Sequence, residues 1–201
     1  MVKLYYVPRT RSTRPRWVLE ELGIPYELVR LDPKKGETRS PEHLARQPLG
    51  HVPVLEAGPV RIFESGAICY WLAEMYGDGK LMPPPGSPGR ALAYQWLCFA
   101  LSELEPPLAL ASAENRRPED EQDVTRITEA RQRWMEAVGV VDAAVRDHPY
   151  LLGKEFSVAD VMVAAILAWG RAALGLEGAP AAEGYLARLR DRPAWRRAIA
   201  D

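Results

Sequence analysis

Cysteine is scarce in this chain. Cys69 and Cys98 stand far apart in separate apolar, helix-period segments with no C-x-x-C spacing, which argues against a disulfide framework, a zinc site and a dithiol redox motif. Any redox chemistry must therefore borrow its thiol from another molecule. An excess of one charge is also missing: 26 Lys and Arg face 27 Asp and Glu, a formal net charge of −1. The basic residues are dispersed rather than gathered into a tail, so no electrostatic footprint for nucleic acid exists. No stretch approaches the roughly 18 apolar residues of a membrane span, and the opening MVKLYYVPRT has only a short apolar run before Pro and Arg; a cytoplasmic protein is expected. There is no internal repeat, no low-complexity tract and no cluster that calls for a metal.

What is present is a well-punctuated chain of 201 residues, 47% apolar, enough for one large or two small domains with formed cores. Residues 2–6, VKLYY, predict a buried strand. A loop follows, and then an amphipathic helix over 14–22 closed by Gly23. A second strand is expected over 26–31, a polar loop over 32–39, and a short helix capped by Ser40 with Pro41 in its first turn. Residues 54–56 and 60–63 form a hairpin pattern across Ala57-Gly58-Pro59, followed by a helix over 65–76. The order βαβαββα predicts a compact four-stranded mixed sheet with helices packed on it.

Pro and Gly crowd GDGKLMPPPGSPG, residues 77–89, and mark a domain boundary. Everything beyond reads as helical. A helix over 90–113 should be kinked or interrupted at Pro106-Pro107. A long amphipathic helix is expected over 118–146, with the acidic run Glu119-Asp120-Glu121 in its first turn. Ser157 and Asp160 have capping-box spacing, flanked by the staple pair Phe156 and Val161, ahead of a helix over 158–173 that is apolar on most faces. The expected domains are thus 1–77, a linker over 78–89, and an all-helical 90–201.

The segment GHVPVLEAGPVRIFES, residues 50–65, carries the strongest chemical signal. Val52-Pro53 is a candidate cis bond that would splay the Val52 N–H and C=O toward an extended ligand. Ser65, read as an N-cap, offers its hydroxyl and the free N–H groups beside it to an anion. With the opening KLYYVPRTRSTRPRWVLEELGIPYE and the Ser157-to-Asp160 box, the whole chain resembles the cytosolic glutathione S-transferases, bacterial members in particular. The resemblance implies a thioredoxin-like α/β first domain, an all-α second domain, glutathione as co-substrate and a homodimer.

It also implies site residues. Ser65 takes the γ-glutamyl carboxylate, Glu64 faces the ammonium end and Val52, ahead of Pro53, pairs with the cysteinyl backbone. His51, with Lys34 or Lys35, lies toward the glycine carboxylate. A thiol with pKa near ~8.5 is mostly protonated at neutral pH, so lowering that value is the central catalytic task. The loop Arg9-Thr10-Arg11-Ser12-Thr13-Arg14 supplies hydroxyls and cations at the start of the first helix. Against the family's serine-using patterns Thr10 falls at the catalytic hydroxyl; against the cysteine-using ones Arg11 replaces the Cys and Ser12 follows it. That departure excludes a cysteine-type mixed disulfide at this loop and leaves Thr10 and Ser12 as alternative donors. Tyr5 and Tyr6 are expected to serve strand burial. Arg9, Arg11, Arg14 and Arg16 bracket the thiol position and would favour thiolate or an anionic co-substrate.

A hydrophobic electrophile is expected between this loop and the first helix of the second domain, with Trp96, Phe99 and Leu110 as lining residues. The expected activity is glutathione conjugation. The alternatives are a glutathione-dependent isomerase of the maleylacetoacetate type, whose Ser-Ser-Cys run is here Arg9-Thr10-Arg11, and a non-catalytic glutathione-binding module.

Overall fold

The computed structural model describes residues 1–200. Strand β1 (Val2–Tyr6) lies in the middle of a four-stranded sheet of order β2-β1-β3-β4. It runs parallel to β2 (Tyr26–Arg30) and antiparallel to β3 (Val54–Ala57), which pairs in turn with β4 (Val60–Phe63). A strand covered on both faces reads as a continuous apolar run, and VKLYY is that run. Helix α1 (Thr13–Leu22) ends on Gly23, which takes φ 64° so that its N–H closes on the Leu19 carbonyl. Helix α3 (Ser65–Tyr76) packs against α1.

The polar loop after β2 contains two single 3-10 turns, at Pro33–Lys35 and Glu37–Arg39, tied by Asp32 N–H donating to Glu37 at 2.7 Å. Ser40 caps α2 (Pro41–Leu44), its hydroxyl accepting from the His43 N–H at 3.2 Å.

By packing, the chain divides at Met82 and again at Arg190: the segment from Asp191 onward belongs with the sheet rather than with the helices that precede it. Residues 191–200, expected at the end of the helical domain, thus pack with the first unit. The reason is a set of contacts to α1. The guanidinium of Arg192 grips Glu21 through two hydrogen bonds of 2.6 and 2.8 Å, and Arg197 bonds Glu20. Trp195 of helix α9 (Pro193–Ala198) meets the buried Trp17 edge to face at 4.7 Å.

The second unit, Pro83–Arg190, is helical. Helix α4 (Pro88–Phe99) widens into a π turn over Ala100–Leu104 before α5 (Glu105–Glu114). Pro106 and Pro107 explain the break: neither donates an N–H, and each ring would strike the carbonyl four residues back in a regular helix.

The expected helix from residue 118 instead begins later. Glu119–Glu121 form one 3-10 turn, and α6 runs over Val124–Ala144 with Asp123 as its cap, accepting from Arg126 N–H at 3.0 Å. Buried Glu114 fixes this start by accepting from the Asp123 N–H and from the guanidinium groups of Arg117 and Arg126.

Helix α7 (Val158–Ala173) forms the centre of the second unit, and α8 (Pro180–Arg190) packs against it. Its fully buried Asp160 accepts from Ser157 N–H and hydroxyl, from Leu151 N–H and from Tyr185 OH, all at 2.8–2.9 Å.

Candidate functional site

The loops leaving β1 and β2, the turn before β3 and the β4–α3 junction enclose an open cleft of about 480 Å³ on the first unit. Its walls bring together Thr10, Arg11, His51, Val52, Glu64 and Ser65, residues separated by up to 55 positions in the chain. The Val52-Pro53 bond is cis, and both residues line the cleft. Lys35 and Lys34 do not: they sit exposed in the first 3-10 turn, while Pro33 and Thr38 on either side reach the wall.

At the β4–α3 junction the cap is Glu64 rather than Ser65. Glu64 holds φ 71°, a backbone conformation that costs a side-chain-bearing residue roughly 1–3 kcal/mol and is typical of sites where geometry is imposed by function. Ser65 is the first residue of α3, and its hydroxyl accepts a 3.1 Å hydrogen bond from Arg14, a side chain only 3% exposed. With that lone pair occupied by a cation, the Ser65 O–H remains available to donate. The start of α3 therefore combines a hydroxyl donor, a buried positive charge and the positive end of a helix dipole, an arrangement suited to a carboxylate.

At the loop after β1, the two alternative hydroxyls are placed differently. Thr10 is exposed on the cleft wall, whereas Ser12 is buried beneath it and does not line the cleft. Thr10 Oγ1 lies 2.7 Å from the Val7 carbonyl and 3.0 Å from Ser12 Oγ, and it accepts from the Ser12 N–H at 3.3 Å. One hydroxyl proton cannot serve both oxygens. The carbonyl can only accept, so Thr10 donates to Val7 and can take the Ser12 proton in return.

Of the four loop arginines only Arg11 reaches this cleft. Arg14 lies under Ser65, while Arg9 and Arg16 line a separate dimple of about 40 Å³ beside Tyr6. Tyr5 and Tyr6 are both buried, as expected. The Tyr5 hydroxyl donates to Glu56 at 2.9 Å and its ring lies under Arg46. Cys69 is buried within α3, where burial pushes its thiol far above the usual range despite the nearby Arg14 charge, so it does not act as a nucleophile.

Gln47 was not singled out by sequence reasoning. It is 2% exposed, lines the cleft, and accepts the His51 N–H at 2.9 Å. His43, also buried, bonds the His51 carbonyl through Nε2 at 2.8 Å. Their position just before Pro48-Leu49-Gly50 was the available signal, but nothing local to the sequence says that they fold back on residue 51. Gly50 is required where that turn closes: at φ 65°, an added Cβ would lie 2.6 Å from the Thr38 carbonyl.

In the second unit Trp96 is buried and Phe99 and Leu110 are half-buried, with the Trp96 and Phe99 rings edge to face at 5.4 Å. No group of His, Cys, Asp and Glu among the described residues has the makings of a metal site.

This geometry has counterparts. The glutathione S-transferase N-terminal domain matches residues 1–74, and the glutathione S-transferase C-terminal domain matches 122–198. Glutathione S-transferase F10 of Arabidopsis thaliana is 36% identical over 170 residues, which cover 80% of this chain and 77% of that protein. Disulfide-bond oxidoreductase YfcG of Escherichia coli (strain K12) is 29% identical over 208 residues, 99% of this chain and 94% of that one. Among solved structures, the glutathione transferase URE2P6 from Phanerochaete chrysosporium, in complex with oxidized glutathione, superposes with a TM-score of 0.88 at 27% identity, covering 99% of this chain and 94% of that one. A thioredoxin-like sheet carrying a cis-Pro turn and an acid-Ser junction, a helical second unit, and two domain matches in that order are one pattern: the chain belongs to the glutathione S-transferase family.

Proposed function

We propose that the cleft binds reduced glutathione and that the protein is a cytoplasmic, homodimeric transferase that conjugates the glutathione thiolate to hydrophobic electrophiles, a detoxifying reaction. The observation that carries this reading is the convergence of Thr10, the cis Val52-Pro53 turn and the Glu64-Ser65 junction on one cleft. In this reading the γ-glutamyl carboxylate sits at Ser65 and the start of α3, its ammonium faces Glu64, and the cysteinyl backbone pairs with Val52. His51 stands toward the glycine end. The Lys35 side chain, off the cleft wall, has no part in it.

Thr10 is the thiolate donor and Ser12 its support. To reach sulfur, the Thr10 O–H turns away from the Val7 carbonyl, giving up a neutral hydrogen bond worth about 0.5–1.5 kcal/mol net. A hydrogen bond to a thiolate is charge-assisted and roughly twice as strong, so the exchange favours the ionised ligand. The buried Ser12 hydroxyl, donating to Thr10 Oγ1, keeps that oxygen in place while its proton turns. Arg11 on the wall adds positive potential toward the anion. Conjugation then needs only an acceptor held near the sulfur, where proximity does most of the work.

A second reading has a specific observation behind it: the likeness to the disulfide-bond oxidoreductase YfcG spans nearly the whole of both chains. Here the glutathione thiolate attacks a disulfide, forming a mixed disulfide and releasing one thiolate. No protein cysteine lines the cleft, so the attacking sulfur is the ligand's in both readings.

Steady-state turnover with a halonitroarene and with a small-molecule disulfide separates them. Conjugation predicts turnover of the arene that falls at least ~100-fold in Thr10→Ala, the scale of a lost transition-state donor, with Ser12→Ala intermediate. Turnover of the disulfide alone would establish the second reading, and an unimpaired Thr10→Ala would remove Thr10 from the mechanism.

A further inference from the structure

Arg9 holds φ 57°, in the region that favours glycine, and at that residue the loop after β1 divides its side chains between two hollows. Thr10 and Arg11 beyond it line the cleft, whereas Tyr6 and Arg9 line the dimple of about 40 Å³, closed by Thr13 and Arg16 of α1 and by Ile199 just past α9. Val7 lines both hollows, and its carbonyl accepts from the Thr10 hydroxyl at 2.7 Å, so the dimple adjoins the donor proposed for the thiolate. The dimple's wall carries two guanidinium groups and, among the described residues, no acid. Arg16 lies over the Tyr6 ring, 5.6 Å from its centre, and faces Glu20, a carboxylate already engaged by Arg197 and by the Tyr26 hydroxyl. Arg9 is exposed and in no ion pair among the described residues. One negative charge thus serves Arg16 and Arg197 together, and an excess of positive potential is left at the dimple. Its volume falls well short of the ~150 Å³ that takes a benzene ring but exceeds what one buried water needs, which is room for a carboxylate or a sulfonate.

We infer that the dimple seats an acid group of the electrophile: Arg9 and Arg16 are specificity-determining residues that select acceptors whose apolar ring carries a carboxylate or sulfonate, the ring lying over Val7 beside Thr10. In conjugation the glutathione sulfur attacks the ring carbon that bears a halogen; a carbon–sulfur bond forms, the carbon–halogen bond breaks, and the halide leaves with its electron pair. An acid held in the dimple fixes that carbon next to sulfur and takes no part in the bond changes. The inference rests on the conjugation reading of the cleft and adds to it the class of acceptor.

The test compares a chlorodinitrobenzoate with its methyl ester in steady-state turnover by the full chain at saturating glutathione, each rate divided by its uncatalysed one. Wild type should prefer the acid. Arg9→Gln removes the charge at an exposed position, where the fold does not depend on it. It should lower the acid-to-ester ratio of kcat/KM at least ~10-fold, the scale of a lost hydrogen bond to a charged group, with the loss in KM for the acid. Arg9→Lys should restore most of that ratio. An unchanged ratio in Arg9→Gln overturns the assignment, whether both rates fall together, as they would if Arg9 only supported the thiolate, or neither falls. A wild type that turns over both arenes without preferring the acid also overturns it and leaves conjugation standing, whereas turnover of neither contradicts the conjugation reading on which it rests.

Discussion

Thr10 and Ser12 are two positions apart, and the sequence treats them alike. What separates them is that the loop turns Ser12 inward, to 1% exposure, while Thr10 stays on the wall. No local pattern encodes that difference, because burial of a polar loop residue is decided by what packs over it. Gln47 was illegible for the same reason, since its partner, His51, lies across a turn. Charges on α1 behave similarly. Burial would raise the Glu20 carboxyl, but hydrogen bonds from Tyr26 and Arg197 outweigh it and hold Glu20 below the usual carboxylate range. The same contact, with burial the larger cause, pushes Tyr26 up to about 12. A depressed carboxyl contributes stability that is present above its unfolded value and lost as pH falls through the folded one; a raised phenol contributes stability lost as pH climbs from 10 toward 12. Melting temperatures recorded from pH 3 to 7 should therefore fall less steeply toward acid in Glu20→Gln than in wild type. Parallel curves would show that the contact adds nothing.

Elements were legible where an apolar period met a clear stop. Strands β1 and β4 and helix α3 fall where their patterns place them, and Gly23 ends α1 as its position implies. The Pro106-Pro107 break was also readable, though the relief occurs upstream, as a π turn, because the strained carbonyls lie there. The start of α6 was not: an acidic run next to a proline looks like a first turn, yet Asp123 outcompetes it once Glu114 pins the chain. Close approach of α6 and α7 was invisible too. Trp134, fully buried, passes so near Gly170 that a Cβ there would lie 2.1 Å from its ring. Trp134 is also tethered, its indole donating to the Gly175 carbonyl at 2.8 Å. Gly170→Ala should accordingly destabilise the protein by about 1–3 kcal/mol in urea unfolding, despite alanine's better helix propensity. A neutral or stabilising result would mean that the ring yields without cost.

At the scale of the molecule, the two-part organisation was readable from the Pro- and Gly-rich tract, but the return of the last segment to the first unit was not, since nothing in residues 191–200 announces Glu20, Glu21 or Trp17 as partners. That segment braces α1, whose start carries the Thr10 loop. Arg192→Ala should cost on the order of 2 kcal/mol, below the 3–5 of a fully buried pair because Arg192 is partly solvated. Chemical unfolding measures this, and a loss within ±0.5 kcal/mol, the range of an ordinary surface change, would show that the brace is ornamental.

The proposed activity depends on a carboxylate-bearing thiol peptide anchored at the start of α3. Calorimetric titration of wild type and Ser65→Ala with reduced glutathione measures that anchor directly. The prediction is one site per chain in the wild type and binding ~10-fold or more weaker in the variant, the scale of a lost hydrogen bond to a charged group. Equal affinity in the two proteins, or no binding heat from the wild type at millimolar ligand, would contradict it.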